Sequence, residues 1–235
     1  MKLTSDMLLV VHVPKTAGTS FRRALEKSFG EKDVIRDYGV NANATTDAVR
    51  SHLYSDANVS PEALVRSLSD GGAKVLIGHF PVKKYLSYFE PNNIIAFVRD
   101  PLERACSEYL HLVRHRAYVG SFDEFIKKGN IINLQSRLLQ NIPKEAIIGI
   151  TEHYTESLIY LNAVMGLGLR ELKANTDKLG GGSEFAKKLS QSQLNQFYKL
   201  NQKDIDLYEK CSSRFSAREI PEVKKSRFGK WFHNR

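Results

Sequence analysis

The sequence predicts an α/β fold built on a central, mainly parallel sheet, and three observations support that reading. Short apolar runs alternate with helical patterns along most of the chain, as in successive β-α-β units. The first run, residues 7–13, is almost continuously apolar, as a strand covered on both faces requires. It passes straight into Pro14-Lys15-Thr16-Ala17-Gly18-Thr19-Ser20, a loop of small and hydroxyl residues with one lysine, and then into a helix. Strand, phosphate-type loop and helix in that order predict a P-loop-like three-layer fold with a helical carboxyl-terminal part.

The remaining elements follow in order. Phe21, Leu25 and Phe29 share one helix face, and Gly30 supplies the stop. Residues 33–36 form a short second strand, while 40–60 is polar and poorly determined. Ser60 caps a helix over 61–68 with Pro61 at its first position. Residues 74–78 and 93–98 are strands ending at His79 and at Arg99-Asp100. Helices are expected over 101–116, 121–128 and 131–140, the second supported by the capping-box pattern Ser121-x-x-Glu124. Residues 146–150 form a fifth strand, entering a helix near Glu152 that ends around Met165. The Gly180-Gly181-Gly182 run marks a flexible loop over 178–183. One domain spans 1–235, with an α/β core over about 1–177 and a helical part over about 184–235.

Composition narrows the function. With 235 residues and 42% hydrophobic side chains the chain can bury a full core. A formal net charge of +9 suits a polyanionic ligand or nucleic acid, and equally a basic surface with no partner. Only two cysteines occur, Cys106 and Cys211, so a disulfide framework is not expected and a reducing compartment fits. No apolar stretch is long enough to span a membrane, and the first one runs into the loop too soon for a signal peptide. The expectation is a cytoplasmic protein of bacterial type. No metal site is expected, since neither C-x-x-C nor H-E-x-x-H occurs.

Parallel sheets place all strand carboxyl ends on one edge, where ligands bind. The loop around Lys15, His79, Arg99 with Asp100, and Glu152 therefore converge there. The loop is not a Walker A sequence, because Lys15 precedes the only glycine. It aims backbone N–H groups, a helix amino terminus and a lysine at an anion. In Val98-Arg99-Asp100-Pro101-Leu102-Glu103-Arg104-Ala105-Cys106-Ser107, Asp100 serves as N-cap with Glu103 completing a capping box. Arg104, Ser107 and His111 share a polar face, and Arg99 with Ser107 can hold one phosphate from two sides.

These two motifs resemble the cofactor motifs of the sulfotransferases that use 3′-phosphoadenosine 5′-phosphosulfate (PAPS). Among these, the sequence is similar to the carbohydrate branch (sulfotransferase family 2-like) that includes heparan sulfate 2-O-sulfotransferases. Ile77-Gly78-His79-Phe80, Asn133-Leu134-Gln135-Ser136-Arg137, Ile148-Gly149-Ile150-Thr151-Glu152 and residues 201–208 continue the resemblance in order. It implies that Lys15, Thr16, Ala17, Gly18, Thr19 and Ser20 bind the 5′-phosphosulfate and that Lys15 also meets charge on the leaving oxygen. It implies that Arg99 and Ser107 hold the 3′-phosphate and that His79 is the general base. Glu152 is the alternative base or an acceptor-orienting group, and equally a carboxylate in a first helical turn. Transfer would be in-line, to a hydroxyl or, second, an amine, leaving 3′-phosphoadenosine 5′-phosphate (PAP). The acceptor implied is a carbohydrate or glycoconjugate, an acidic one being compatible with the charge; no nucleic acid is expected.

Several features admit two readings. Gly78 allows close ligand approach beside His79. His12 is a packed or supporting residue. Arg114, His115 and Arg116 either face an anionic acceptor or complement the helix dipole. Asn133, Gln135 and Arg137 either contact a ligand or lie on a helix surface. The loop 173–183 is a candidate cover, and the basic aromatic tail 224–235 either meets a polyanion or membrane or packs back on the domain. Two rival functions remain: a P-loop-like ATP-dependent kinase, and a non-enzymatic polyanion-binding module.

Overall fold

The computed structural model describes residues 6–55, 60–171 and 181–219. The tail 224–235 and residues 173–180 of the candidate cover lie outside these. In chain order the elements begin β1 (Leu8–Val11), α1 (Gly18–Phe29), β2 (Val34–Asp37), α2 (Asp47–Leu53), α3 (Pro61–Asp70), β3 (Val75–Gly78) and β4 (Ile94–Val98). Then come α4 (Pro101–Arg114), α5 (Phe122–Phe125), α6 (Leu134–Leu138), β5 (Ile147–Ile150), α7 (Tyr154–Met165), α8 (Gly182–Ala186), α9 (Gln191–Leu200) and α10 (Gln202–Ser216). The five strands form one sheet in the order β2-β3-β1-β4-β5, and every neighbouring pair is parallel. The expected α/β class and parallel sheet are thus observed.

Period-two alternation sends the strand side chains to two apolar faces. Leu9, Val11, Leu76, Ala96 and Ile148 pack with Val49 of α2, Leu64 of α3 and Cys211 of α10. Leu8, Val10, Ile77, Ile95 and Phe97 pack with Phe21 and Leu25 of α1 and Leu158 and Leu161 of α7. A third cluster joins Leu102 and Cys106 of α4 to Phe122 and Phe125 of α5 and Phe197 of α9. It lies apart from the sheet faces, so α4 is held by other helices.

Boundaries differ where local chemistry overrides periodicity. The polar stretch 40–60 contains α2, whose Val49 is fully buried. The helix expected over 131–140 shrinks to α6, because Asn133 is left-handed (φ 51°) and its amide bonds the Leu200 carbonyl at 3.2 Å. The capping box at Ser121 forms, but α5 ends at Phe125. Glu152 enters a 3-10 turn (Thr151–His153) before α7 begins. Gly182 and Ser183, expected in a flexible loop, start α8 instead. A Cβ on Gly182 would lie 2.4 Å from the Glu103 carbonyl, so its missing side chain lets α8 seat directly on α4.

Asp37, at the carboxyl end of β2, ties the first sheet edge together. Its carboxylate is 1% exposed and accepts from Tyr54 Oη (2.7 Å), Tyr85 Oη (2.8 Å) and Lys84 Nζ (2.7 Å). Burial alone would raise its pKa; the bonds from Lys84, Tyr54 and Tyr85 outweigh that and hold it below the ordinary value. A depressed folded pKa contributes stability that is present above the unfolded value and fades as pH falls through the folded one. Asp37→Asn should therefore cost about 2–3 kcal/mol in urea unfolding at pH 7. The gap from the wild type should close below about pH 4; a gap independent of pH would remove the ionised carboxylate as its cause.

Candidate active site

The parallel order fixes which strand-end residues face each other. Along the carboxyl edge Tyr38 follows β2, His79 follows β3, the 12–17 loop follows β1, Arg99 and Asp100 follow β4, and Glu152 follows β5. His79 and Arg99 therefore flank the Lys15 loop on opposite sides, their strands two spacings apart, about 10 Å.

The loop is shaped by three constraints. Lys15 (φ 69°) and Ala17 (φ 62°) both adopt the left-handed conformation. Alternation of this kind curls successive N–H groups toward one centre, an anion-binding nest. Thr16 is 1% exposed, and its hydroxyl donates to the Val13 carbonyl at 2.8 Å, closing the turn. Gly18 opens α1 beneath the His12 ring, where a Cβ would lie 1.9 Å from Cδ2, so no other residue fits. The first turn of α1 carries no acid, and its leading N–H groups lack intrahelical partners by geometry. Lys15, Thr19 and Ser20 are half-buried beside it.

On one flank, His79 Nδ1 stands 2.6 Å from the His12 carbonyl oxygen. A carbonyl only accepts, so Nδ1 carries the proton and Nε2 keeps its lone pair. The residue is exposed, and desolvation by the groups packed against the ring lowers its pKa against smaller opposing effects of the His12 bond and the Glu108 charge. The rings of His12 and Tyr38 pack on it with centroids 4.4 and 4.6 Å away. His12 Nδ1 and Tyr38 Oη are 2.8 Å apart; burial, then the charges of His79 and Arg22, drives the His12 pKa to about 3. His12 is thus a neutral supporting residue. Gly78 serves a different neighbour from the one expected: a Cβ there would lie 1.7 Å from the Asp37 carbonyl, so strand packing requires the glycine.

On the other flank, Arg99 donates from Nη2 to Glu103 Oε2 at 3.1 Å, with Nε 3.9 Å from Glu152 Oε1. Asp100 caps α4, its Oδ1 accepting from the Glu103 N–H at 2.9 Å. The expected reciprocal bond of a capping box is replaced by the Glu103–Arg99 pair. Ser107, half-buried, stands one helical turn, about 6 Å, beyond Glu103 and under Gly182 of α8. Ser107 thus lies on the helix whose first turn Arg99 meets through Glu103. Both oxygens of Glu152 are engaged: Oε1 accepts from the Asp100 N–H (2.9 Å) and Oε2 from Tyr208 (3.2 Å).

Helix α4 contributes more than the sequence indicated. Arg104, expected on a polar face, is 1% exposed and donates from Nη1 to Glu108, while its Nε has no hydrogen-bond partner among the described residues. Burial, then the charges of Lys15, His115 and Arg114, lowers the His111 pKa, which places His111 in the field of the Lys15 loop. Gln135 is fully buried and bonds the Arg99 main chain, whereas Arg137 bonds the Asn130 carbonyl at the surface. Tyr38 and Glu108 escaped sequence reasoning, Tyr38 because β2 was ended one residue early, at Arg36 rather than Asp37.

A parallel α/β protein whose first strand runs through a left-handed loop into a helix, with a histidine and an arginine on the flanking strand ends, is the class that fold and site define. A model of the sulfotransferase family matches residues 4–210, and the chain belongs to that family, whose general reaction is sulfuryl transfer. Among solved structures, the crystal structure of a sulfotransferase from Alicyclobacillus acidocaldarius is similar at 17% identity and a TM-score of 0.44, covering 91% of this chain and 100% of that chain. No curated protein matches. No helix among the described residues is long and apolar enough to cross a membrane.

The tautomer of His79 is directly measurable. Nitrogen-15 spectra at pH 7.5 should show a protonated Nδ1 and a bare Nε2, with the ring titrating below 6.5. A proton on Nε2 would contradict the His12 contact.

Proposed function

We propose that this chain transfers a sulfuryl group from PAPS to a carbohydrate hydroxyl, with His79 as general base. The observation behind this reading is the bond from His79 Nδ1 to the His12 carbonyl, which leaves Nε2 free to accept a proton on the flank opposite Arg99. The donor set suits the cofactor: a nest of N–H groups, the amino terminus of α1 and Lys15 for a phosphosulfate, and Arg99 with Ser107 for a second anion. When bound, PAPS supplies the sulfuryl group, whose bond to the bridging phosphate oxygen breaks as the bond to the acceptor oxygen forms.

The residues then divide the work. His79 takes the acceptor's proton at Nε2, and its depressed pKa keeps the ring neutral and able to do so at pH 7. Lys15 meets the negative charge that develops on the leaving oxygen. Arg99 and Ser107 hold the 3′-phosphate, the group that separates PAPS from ATP. Glu152 acts as a positioning residue, since its two oxygens already hold Asp100 and Tyr208. The acceptor side, bordered by His79, Tyr38, His111 and the basic residues ending α4, suits an acidic saccharide.

PAP at a hundred times its dissociation constant should raise Tm by roughly 5–10 °C. ADP and Mg-ATP should give little. A larger shift with Mg-ATP would instead support the kinase reading, and no shift with any nucleotide the binding module. Arg99→Ala should weaken PAP about 30- to 100-fold, the scale of a lost charge-assisted hydrogen bond, and AMP far less. Equal losses would remove the 3′-phosphate assignment. His79→Ala should abolish turnover with PAP binding kept, and the wild-type rate should fall with acid through a midpoint below 6.5. Retained turnover would exclude His79 as base.

A further inference from the structure

Behind Arg99 lies a buried polar network that the reaction outlined above does not use. The Gln135 amide, fully buried, donates from Nε2 to the Arg99 carbonyl (2.8 Å) and accepts at Oε1 from the Arg99 N–H (3.0 Å). One side chain thus satisfies both main-chain groups of the residue that leaves β4. A carboxamide can make this pair of bonds in one orientation only, so the peptide planes on either side of Arg99 are fixed.

Gln135 is held in turn. Helix α6 has five residues, too few to persist alone. Asp204 of α10, 1% exposed, caps it from a distance: Oδ2 accepts from the Gln135 N–H (3.1 Å) and Oδ1 from the Ser136 N–H (2.7 Å). Asn133 and Asn201 lock the approach, the Asn133 N–H donating to Asn201 Oδ1 (2.9 Å) and the Asp204 N–H to Asn133 Oδ1 (3.2 Å). Tyr208, one turn further along α10, reaches the same corner through Glu152, which accepts from the Asp100 N–H. Two routes from one helix therefore converge on Arg99-Asp100.

We propose that Gln135, seated by Asp204, is a positioning residue that aims the Arg99 guanidinium and so sets the preference for a 3′-phosphate. The inference rests on the assignment of Arg99 to that phosphate. An apolar side chain of similar volume would strand the Arg99 N–H and C=O, so the pair of bonds serves the fold as well, and the two roles are separated by what each does to ligand preference. The paired bonds place an orientation constraint on the main chain of the residue whose charge reads the ligand, rather than on an arbitrary loop.

The test is the ratio of PAP to AMP affinity, measured by calorimetry on the full chain. Gln135→Met keeps the volume and removes both bonds; the ratio should fall about tenfold or more, as when a supporting partner is lost behind a binding group. Gln135→Glu supplies a variant whose behaviour depends on protonation. Its protonated carboxyl donates and accepts as the amide does, and burial raises its pKa. The charges around it are Asp204 from α10, Arg99 and Glu103 at the start of α4, and Glu152 beyond β5. The ratio, taken relative to wild type at the same pH, should be near normal at acid pH and fall tenfold as the carboxyl ionises. A structural role alone would lower Tm without moving this ratio. If Gln135→Met fails to fold, the Glu series decides. A ratio unmoved in both variants, while Arg99→Ala lowers it, overturns the positioning role and leaves the Arg99 assignment standing. A ratio unmoved in Arg99→Ala as well overturns both.

Discussion

Because all five strands run the same way, the residues that end them have a single edge on which to emerge. The cations gathered there would repel one another, and Arg99 and Arg104 are each met by a carboxylate. Glu103 and Glu152 stand beside Arg99, and Glu108 pairs with Arg104. For Arg104 the pairing is a condition of burial, since an isolated charge 1% exposed would cost several kcal/mol. For Arg99, whose side chain is 18% exposed, the partners fix the guanidinium at the sheet edge. In the proposed reaction, folding and binding would draw on the same set of ion pairs.

The 12–17 loop shows the same economy in its backbone. Lys15 and Ala17 sit in a conformation that costs an L-residue about 1–2 kcal/mol each. Glycine would relieve the strain, but would remove the Lys15 ammonium from the mouth of the nest. The Thr16–Val13 bond and the fit of Gly18 under His12 oppose relaxation. That fit also couples the loop to the opposite flank. The ring that excludes a Cβ at Gly18 belongs to the residue whose carbonyl fixes the His79 tautomer. A disturbance at the helix start would therefore reach His79 through His12.

Much of this was legible in the sequence. Continuous apolar runs located all five strands to within a few residues, and strand-end logic brought Lys15, His79, Arg99 and Glu152 to one edge. What periodicity could not show was how the ends are secured. Gln135 reads as either a ligand contact or a helix-surface amide until Asp204, sixty-nine positions later, is seen to cap its helix. Arg104 reads as part of a polar helix face until Glu108 is found beside it in the interior. Gly78 reads as room for a ligand, although the space belongs to the Asp37 carbonyl. Each error has one physical origin: a local pattern reports which face a residue takes, and these contacts are made by partners from distant segments.

The order of strands has a chemical consequence that their composition alone would not impose. An in-line displacement requires attacking and leaving groups on opposite sides of the transferred centre. With β1 between β3 and β4, a ligand held by the β1 loop and Arg99 leaves its far side toward His79. Were β3 and β4 adjacent, base and guanidinium would crowd one flank, and burial would act on the histidine beside a cation. In the observed order His79 has neutral aromatic neighbours, His12 and Tyr38, and loses basicity mainly to desolvation. Under the proposed reaction, Lys15 would face the leaving group from the middle strand. Sheet topology, before any side chain is considered, already separates the histidine flank from the arginine flank.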